Sequence, residues 1–256
     1  MKVIPVALNT FRESVRDRIL YNLVLFVLLL VAASLFIGDL SLSEEKRMIT
    51  NMGLTAMSVF GVLISIFIGI GLVYKEIDKR TIYSLLAKPI QRYEFILGKY
   101  FGLCFTLLVN TAVMALAVIL ALLIKIGPNP IQLKIVPAAW LIFLELMVMT
   151  AVALLFSSFS SPALSALLAF FVFVIGRSST DLKLFADNAQ SFPLRAICNA
   201  LYYTLPNLGN FNHIGTTAHG ESIPFGTLGA STVYAALYIF VLLSATVMTF
   251  QKRNFK

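Results

Sequence analysis

Charge is in short supply in this chain: of its 256 residues, only 12% are Asp, Glu, Lys or Arg. A domain folded in water carries about 25%, so water does not bathe most of this surface. Cysteine is scarcer still. Cys104 and Cys198 lie far apart, Cys104 within an apolar run, and both read as small packing residues rather than a disulfide framework or a metal knuckle. The two histidines, His213 and His219, make with Glu221 neither a helical i, i+4 pair nor a standard zinc spacing, which points to a surface loop and no metal. No GxxxxGKS or GxxxxGKT occurs. Gly98-Lys99 has Tyr93 where the leading glycine would stand and Tyr100 where the hydroxyl residue would, so the chain has no phosphate cradle and cannot use ATP alone. No HExxH occurs either, neither histidine lies in a clear apolar run, and all five Asp fall outside those runs.

What fills the chain instead is hydrocarbon. Hydrophobic residues make up 59%, with 21 Phe and a mean hydropathy of +0.90, against about 45–50% apolar in a soluble domain. This is the composition of a polytopic membrane protein. Most of the length is needed to cross the bilayer, so residues 1–256 form a single membrane domain with no ordinary soluble domain beside it. A hydrocarbon core of about 30 Å needs roughly 20 apolar residues in a helix. Runs that meet this are Ile19 to Gly38, Met48 to Tyr74 (helical from about Met52), Tyr100 to Ile124, Val136 to Phe156 and Ala230 to Phe250. Pro162 to Gly176 is shorter and rises only about 22 Å. Its N-terminus has a start signal, since Ser157, Ser158, Ser160 and Ser161 make a turn-like cluster and Pro162 suits a first helical turn. Arg177 is expected to lengthen its far end by reaching to the head groups. The fold class expected is therefore an all-α membrane protein of six transmembrane helices, with a tight hairpin between the fourth and fifth.

Six spans put both termini on one side, and the basic residues indicate which. Thirteen Lys and Arg fall in the N-terminal segment, in residues 75 to 99 and in the tail, against seven in the opposite set. The positive-inside bias places the larger set in the cytoplasm, for a bacterial inner membrane. It also accounts for the net charge of +8 without a nucleic-acid partner. Before the first span, Ile4, Leu8, Phe11, Val15 and Ile19 recur along one helical face while Arg12, Arg16 and Asp17 fall elsewhere. Residues 1–18 are thus expected to be an amphipathic helix on the inner membrane surface rather than a cleavable signal.

The exception to the charge shortage is Val73 to Gly102, which holds nine charged side chains. Glu76 to Ala87 has no Gly or Pro and favours helix. Lys88 precedes Pro89, which pushes it out of the helical region, and a second helix can start near Tyr93 and run into span three. Some two dozen residues greatly exceed a simple connection, and Ile77, Ile82, Tyr83, Leu85 and Leu86 would lie exposed unless something covered them. The run Glu76, Thr81, Leu85-Leu86-Ala87-Lys88-Pro89-Ile90, Arg92 and Gly98-Lys99 resembles the cytoplasmic signature of ABC-2 type transporter permeases, closest to the branch that includes the permease for nitrous oxide reductase maturation. Arg16-Asp17-Arg18-Ile19-Leu20-Tyr21, Tyr202-Tyr203-Thr204-Leu205-Pro206-Asn207-Leu208 and Phe211-Asn212 agree with it. Arg80 departs from it, standing where Gly often precedes the Thr.

The resemblance covers nearly the whole chain and implies a type V-like permease fold. It also implies that residues 75–99 include a coupling helix seated in a groove of a separate ATP-binding subunit. Glu76, Thr81, Leu85, Leu86, Lys88, Pro89 and Arg92 would be the contacts or shape the turn. The Ser157 to Ser161 hairpin would be a second, smaller contact. Two such ATPase subunits, carrying ATP and Mg, would work with two permeases, either a homodimer or a homologous heterodimer. The cargo would be lipid-linked or hydrophobic, and this chain itself non-catalytic and free of cofactor.

Glu145 lies near the middle of span four, where an acid costs on the order of 3 kcal/mol on insertion scales. It is either a contact in the translocation path or a hydrogen-bonded residue tying span four to a neighbour. Ser161, Ser165 and Ala169 repeat at four-residue steps in span five and permit close helix approach. The region 177–229 is half apolar, consistent with helices lying on or dipping into the outer leaflet. Two rival readings fare worse. An intramembrane enzyme would need a second catalytic group beside Glu145, and an ion-coupled secondary transporter would need several intramembrane ionisable groups or interrupted helices in matched halves.

Overall fold

The computed structural model describes residues 3–17, 21, 24–25, 28–29, 31–33, 44–78, 91–188 and 191–252. Its elements in chain order are α1 (Val3–Val15), α2 (Glu45–Asp78), α3 (Arg92–Ile126), α4 (Ile131–Ser157), α5 (Pro162–Arg177), α6 (Ser179–Asn188), α7 (Phe192–Thr204), a 3-10 turn (Leu208–Phe211), α8 (Ile214–Ala218) and α9 (Phe225–Lys252). No strand occurs among the described residues.

Four of these helices, α2, α3, α4 and α9, are long and apolar enough to cross a membrane, and α5 with α6 makes a fifth candidate bent by 67°. The first expected span, Ile19 to Gly38, lies mostly outside the described residues; those described within it are helical. Span two begins earlier than expected, at Glu45 rather than near Met52. No Gly or Pro interrupts Glu45 to Met52, and Arg47 pairs with Glu44 at 3.1 Å across the opening turn. Its start needs no apolar run, because an acid at a helix N-terminus and an i, i+3 ion pair both favour helix. Helix α3 starts where Pro89 and Tyr93 predicted. Gln91 is its N-cap, and the Gln91 backbone N–H donates to Glu94 Oε2 at 3.4 Å, half of a capping box.

Helix α4 is the axis of the bundle. It is buried on nearly every side, packs on α2, α3, α5 and α9, and 78% of its apolar stretch is covered, against 28% for α9. A helix that is apolar all round belongs in the centre. On the periphery, Phe101 and Phe105 of α3 and Leu237 and Phe240 of α9 are exposed, as befits surfaces solvated by lipid. Hydroxyls within these helices satisfy themselves. Thr106, Thr111, Thr150 and Thr246 each donate to the carbonyl four residues back, at 2.7 to 3.0 Å, so they cost little in a medium without water.

Contacts define the two ends of the bundle. At one end Phe95 of α3 stacks on Phe250 of α9, with ring centroids 6.2 Å apart, and the α4–α5 hairpin lies beside them. At the other, Trp140 of α4 donates to Thr232 of α9 and Lys134 donates to the Gly220 carbonyl at 2.6 Å. Helix α1 lies along the first turns of α3. Gly98 and Gly102 make the notch that receives it: a Cβ at 98 would lie 2.6 Å from Val6 Cβ, and one at 102 would lie 2.5 Å from the Ala7 carbonyl oxygen.

Candidate functional site

The polar interior of this protein is built around Glu145. It is the fifteenth residue of α4, about 21 Å along the helix from Ile131 at 1.5 Å per residue, and it is 1% exposed. Ser58 of α2 donates its hydroxyl to Glu145 Oε2 at 2.9 Å. Arg177 donates Nη1 to Glu145 Oε1 at 2.9 Å, to Oε2 at 3.3 Å and to Ser58 Oγ at 2.8 Å. Its second nitrogen donates to Asn212 Oδ1 at 3.1 Å. An acid and a base inside a membrane are tolerable when paired and hydrogen-bonded in this way.

The geometry corrects the expectation for Arg177. Instead of reaching out to head groups, its guanidinium turns inward to the middle of α4. Helix α5 therefore gives way, at Ser178, to the 67° bend into α6. Gly176 makes the bend possible from the other side. A Cβ there would lie 2.6 Å from the Pro206 carbonyl oxygen and 3.0 Å from Leu208 Cγ, so only glycine lets the 205–212 segment close on the end of α5.

Helices α6 and α7 form a hairpin, pinned by Lys183, whose amine sits 5.3 Å and 5.4 Å from the ring centroids of Tyr202 and Tyr203. The chain leaving α7 climbs along α9 in register. Tyr238 donates to the Thr204 carbonyl at 2.7 Å, the Asn207 N–H donates to the Tyr234 oxygen at 2.8 Å, and Ser231 donates to the Asn210 carbonyl at 3.1 Å. Tyr238 is thirteen residues from Phe225, about 20 Å along α9. The end of α7 therefore lies level with the middle of α9.

At the opposite end lies a second polar contact. Lys99 is 1% exposed, with its amine 3.5 Å from Glu13 of α1 and 5.8 Å from the Phe95 ring centroid. The neighbouring Tyr100 hydroxyl donates to the Met147 carbonyl at 3.4 Å. The serine hairpin closes this end. Ser157, Ser158 and Ser160 donate to the Leu154, Leu155 and Phe156 carbonyls, which also accept backbone N–H bonds from Ser158, Phe159 and Ser160, so the hydroxyls are satisfied within the turn.

Of the residues singled out in the docking segment, Glu76 falls near the end of α2 and Arg92 opens α3. Thr81, Leu85, Leu86, Lys88 and Pro89 lie outside the described residues. Sequence reasoning found Glu145 but missed its partners. A signal existed for one of them: a lone acid in an apolar run requires a cation, and Arg177 closes the one short span. Nothing in the local pattern marks Ser58, and Asn212 stands out only in the Phe211-Asn212 pair of the family resemblance, which assigns it no role.

Among the described residues, one further concavity, beside Asn9, Arg12, Glu13, Arg16 and Asp17 of α1, is polar, and two others are apolar. An open groove of about 300 Å³ runs between α3 and α4, lined by Leu108, Ala112, Leu116, Trp140 and Phe143 among others. Another of about 340 Å³ separates α1 from α3, beside Phe11 and Phe105. Compared with known proteins, the chain matches the family model described as ABC-2 family transporter protein over residues 4–253. No curated protein matches it.

Proposed function

The chain belongs to the ABC-2 family of transporter proteins, as a multi-pass membrane permease component of an ABC transporter, and from that premise we propose how it takes power from its ATP-binding partner. Residues 75–99 dock in the partner from the cytoplasm, with Leu85 and Leu86 as the apolar contact and Glu76, Thr81, Lys88, Pro89 and Arg92 shaping or flanking it. Two ATP-binding subunits, carrying ATP and Mg, serve two permeases, either identical or homologous. The cargo is lipid-linked or hydrophobic, and the branch that includes the nitrous oxide reductase maturation permease is the part of the family the chain resembles by its Glu76-to-Lys99 run. Both termini lie in the cytoplasm of a bacterial inner membrane.

The observation that carries the reading is the family match over almost the full chain, in a sequence with no phosphate-binding loop of its own. Helix α1 supports the placement. It has three faces: Val6, Thr10 and Ser14 toward α3, exposed Ile4 and Leu8 on a second side, and Asn9, Arg12, Glu13 and Arg16 on a third. A helix with packing, apolar and charged sides suits a membrane surface. Leu85→Asp or Leu86→Asp should release the ATP-binding subunit on co-purification while leaving membrane insertion intact. A complex retained with normal ATP turnover would count against this docking site.

A further inference from the structure

Helix α1 leaves an apolar slot open beside α3. Gly98 and Gly102 let Val6, Ala7 and Thr10 close on one flank of α3. On the neighbouring flank the groove of about 340 Å³ stays open, lined by Val3, Ile4, Leu8, Phe11, Phe101 and Phe105 among others. From Val3 to Phe11 it follows α1 for about 12 Å, the shape of a slot for an extended hydrocarbon chain rather than for a compact group. Ile4, Leu8, Phe101 and Phe105 are each half or more exposed along it.

The edge of the slot adds a requirement for charge. Leu8, Arg12 and Arg16 follow one another at four-residue steps, so two guanidinium groups stand in line beyond the Leu8 rim. Both arginines are exposed. Glu13 between them is held by Lys99 at 3.5 Å, and Asp17 has an interaction of its own. Among the described residues neither arginine has an ion-pair partner, which leaves both to meet a charge from outside the chain. The first 18 residues together hold four basic and two acidic side chains, and a segment with that balance is drawn to acidic lipid.

We propose that the α1–α3 groove is a binding site for an anionic phospholipid, with one acyl chain lying between Ile4, Leu8, Phe101 and Phe105 and the phosphate meeting Arg12 and Arg16. The site goes beyond the transporter reading and rests only on the chain's being a membrane protein. Its failure is therefore separate from a failure of the docking assignment.

The full chain has one tryptophan, so Trp140→Phe gives a dark background for a reporter at Val109→Trp, one turn along α3 from Phe105, or at Leu237→Trp on α9; both positions are exposed. Nanodiscs would hold phosphatidylglycerol and phosphatidylcholine in equal parts, with bromine on the chains of one lipid or of the other, and fluorescence quenching would report which lipid touches the reporter. At Val109→Trp, bromine on phosphatidylglycerol should quench more, with a preference of about five-fold for each arginine. Arg12→Gln with Arg16→Gln should abolish the difference, and either change alone should reduce it. At Leu237→Trp the two lipids should quench alike. Equal quenching at Val109→Trp with both arginines present overturns the site, and so does a preference that survives the double change. The same preference at Leu237→Trp overturns it too, since that would be a diffuse attraction of a basic protein for acidic lipid.

Discussion

Removing Arg177 alone and removing it together with Glu145 should have different consequences for stability. Arg177→Met leaves a carboxylate that is 1% exposed with Ser58 as its remaining donor. Breaking a buried pair from one side costs about 3–5 kcal/mol. The double change Glu145→Leu with Arg177→Met leaves no stranded charge and should recover much of that loss. Thermal unfolding of the four species in detergent, analysed as a double-mutant cycle, measures the coupling; additive losses would mean that the two groups do not sense one another. Gly176 offers a steric counterpart. Gly176→Val must push back a backbone carbonyl 2.6 Å away, an overpacking cost of about 1–3 kcal/mol. Gly215→Ala is the control, since nothing lies within 4 Å of its added Cβ, and the same melts should leave it unchanged.

Among the elements, α1 shows how membrane packing departs from an amphipathic wheel. Ile4 and Leu8 are exposed, while Thr10 and Ser14 are fully buried and Phe11 packs edge-on against Phe105 of α3. Between helices that both sit in hydrocarbon, apolarity drives nothing and close approach decides the contact. Gly98 and Gly102 therefore matter more to α1 than its own leucine and isoleucine do. Gly98→Leu should dislodge it. A cysteine at Ser14 should resist a water-soluble maleimide in the parent and react in the Gly98→Leu chain; equal protection in both would show that the notch does not hold α1. The same physics explains what the sequence could and could not disclose. Runs of apolar residues located α2, α3, α4 and α9, and the serine cluster with Pro162 located the α4–α5 hairpin. The bend at Ser178 was not legible, because its cause is a bond between residues 32 apart in the chain and a carbonyl arriving from Pro206. For the candidate site, Glu145 stood out as the lone acid in its run, whereas Ser58 looks like any other polar residue, and Asn212 carries only a family resemblance, until the helices are assembled.

For the whole molecule the asymmetry of charge becomes an orientation. Contacts alone separate the ends of the bundle. Phe95, Lys99 and Phe250 meet α1 and the serine hairpin at one, while Lys134, Gly220 and Glu221 sit at the other. Thirteen of the twenty Lys and Arg fall in the N-terminal segment, residues 75–99 and the tail; of these, Arg12, Arg16, Lys75, Arg92, Lys99 and Lys252 are among the described residues and belong to elements that meet at the first end, and basic segments are retained on the cytoplasmic side during insertion. A docking surface for an ATP-binding subunit has to be on that same side, because ATP is. Charge and power source thus make one prediction that either could have contradicted. In intact cells, with Cys104 and Cys198 replaced by serine, Glu221→Cys should react with an impermeant maleimide added outside. Ala87→Cys should react only after permeabilisation, and less when the ATP-binding subunit is co-expressed. External labelling at residue 87 would invert the topology and remove the docking assignment with it. Labelling that is internal but indifferent to the partner would keep the orientation and place the contact elsewhere on the cytoplasmic face.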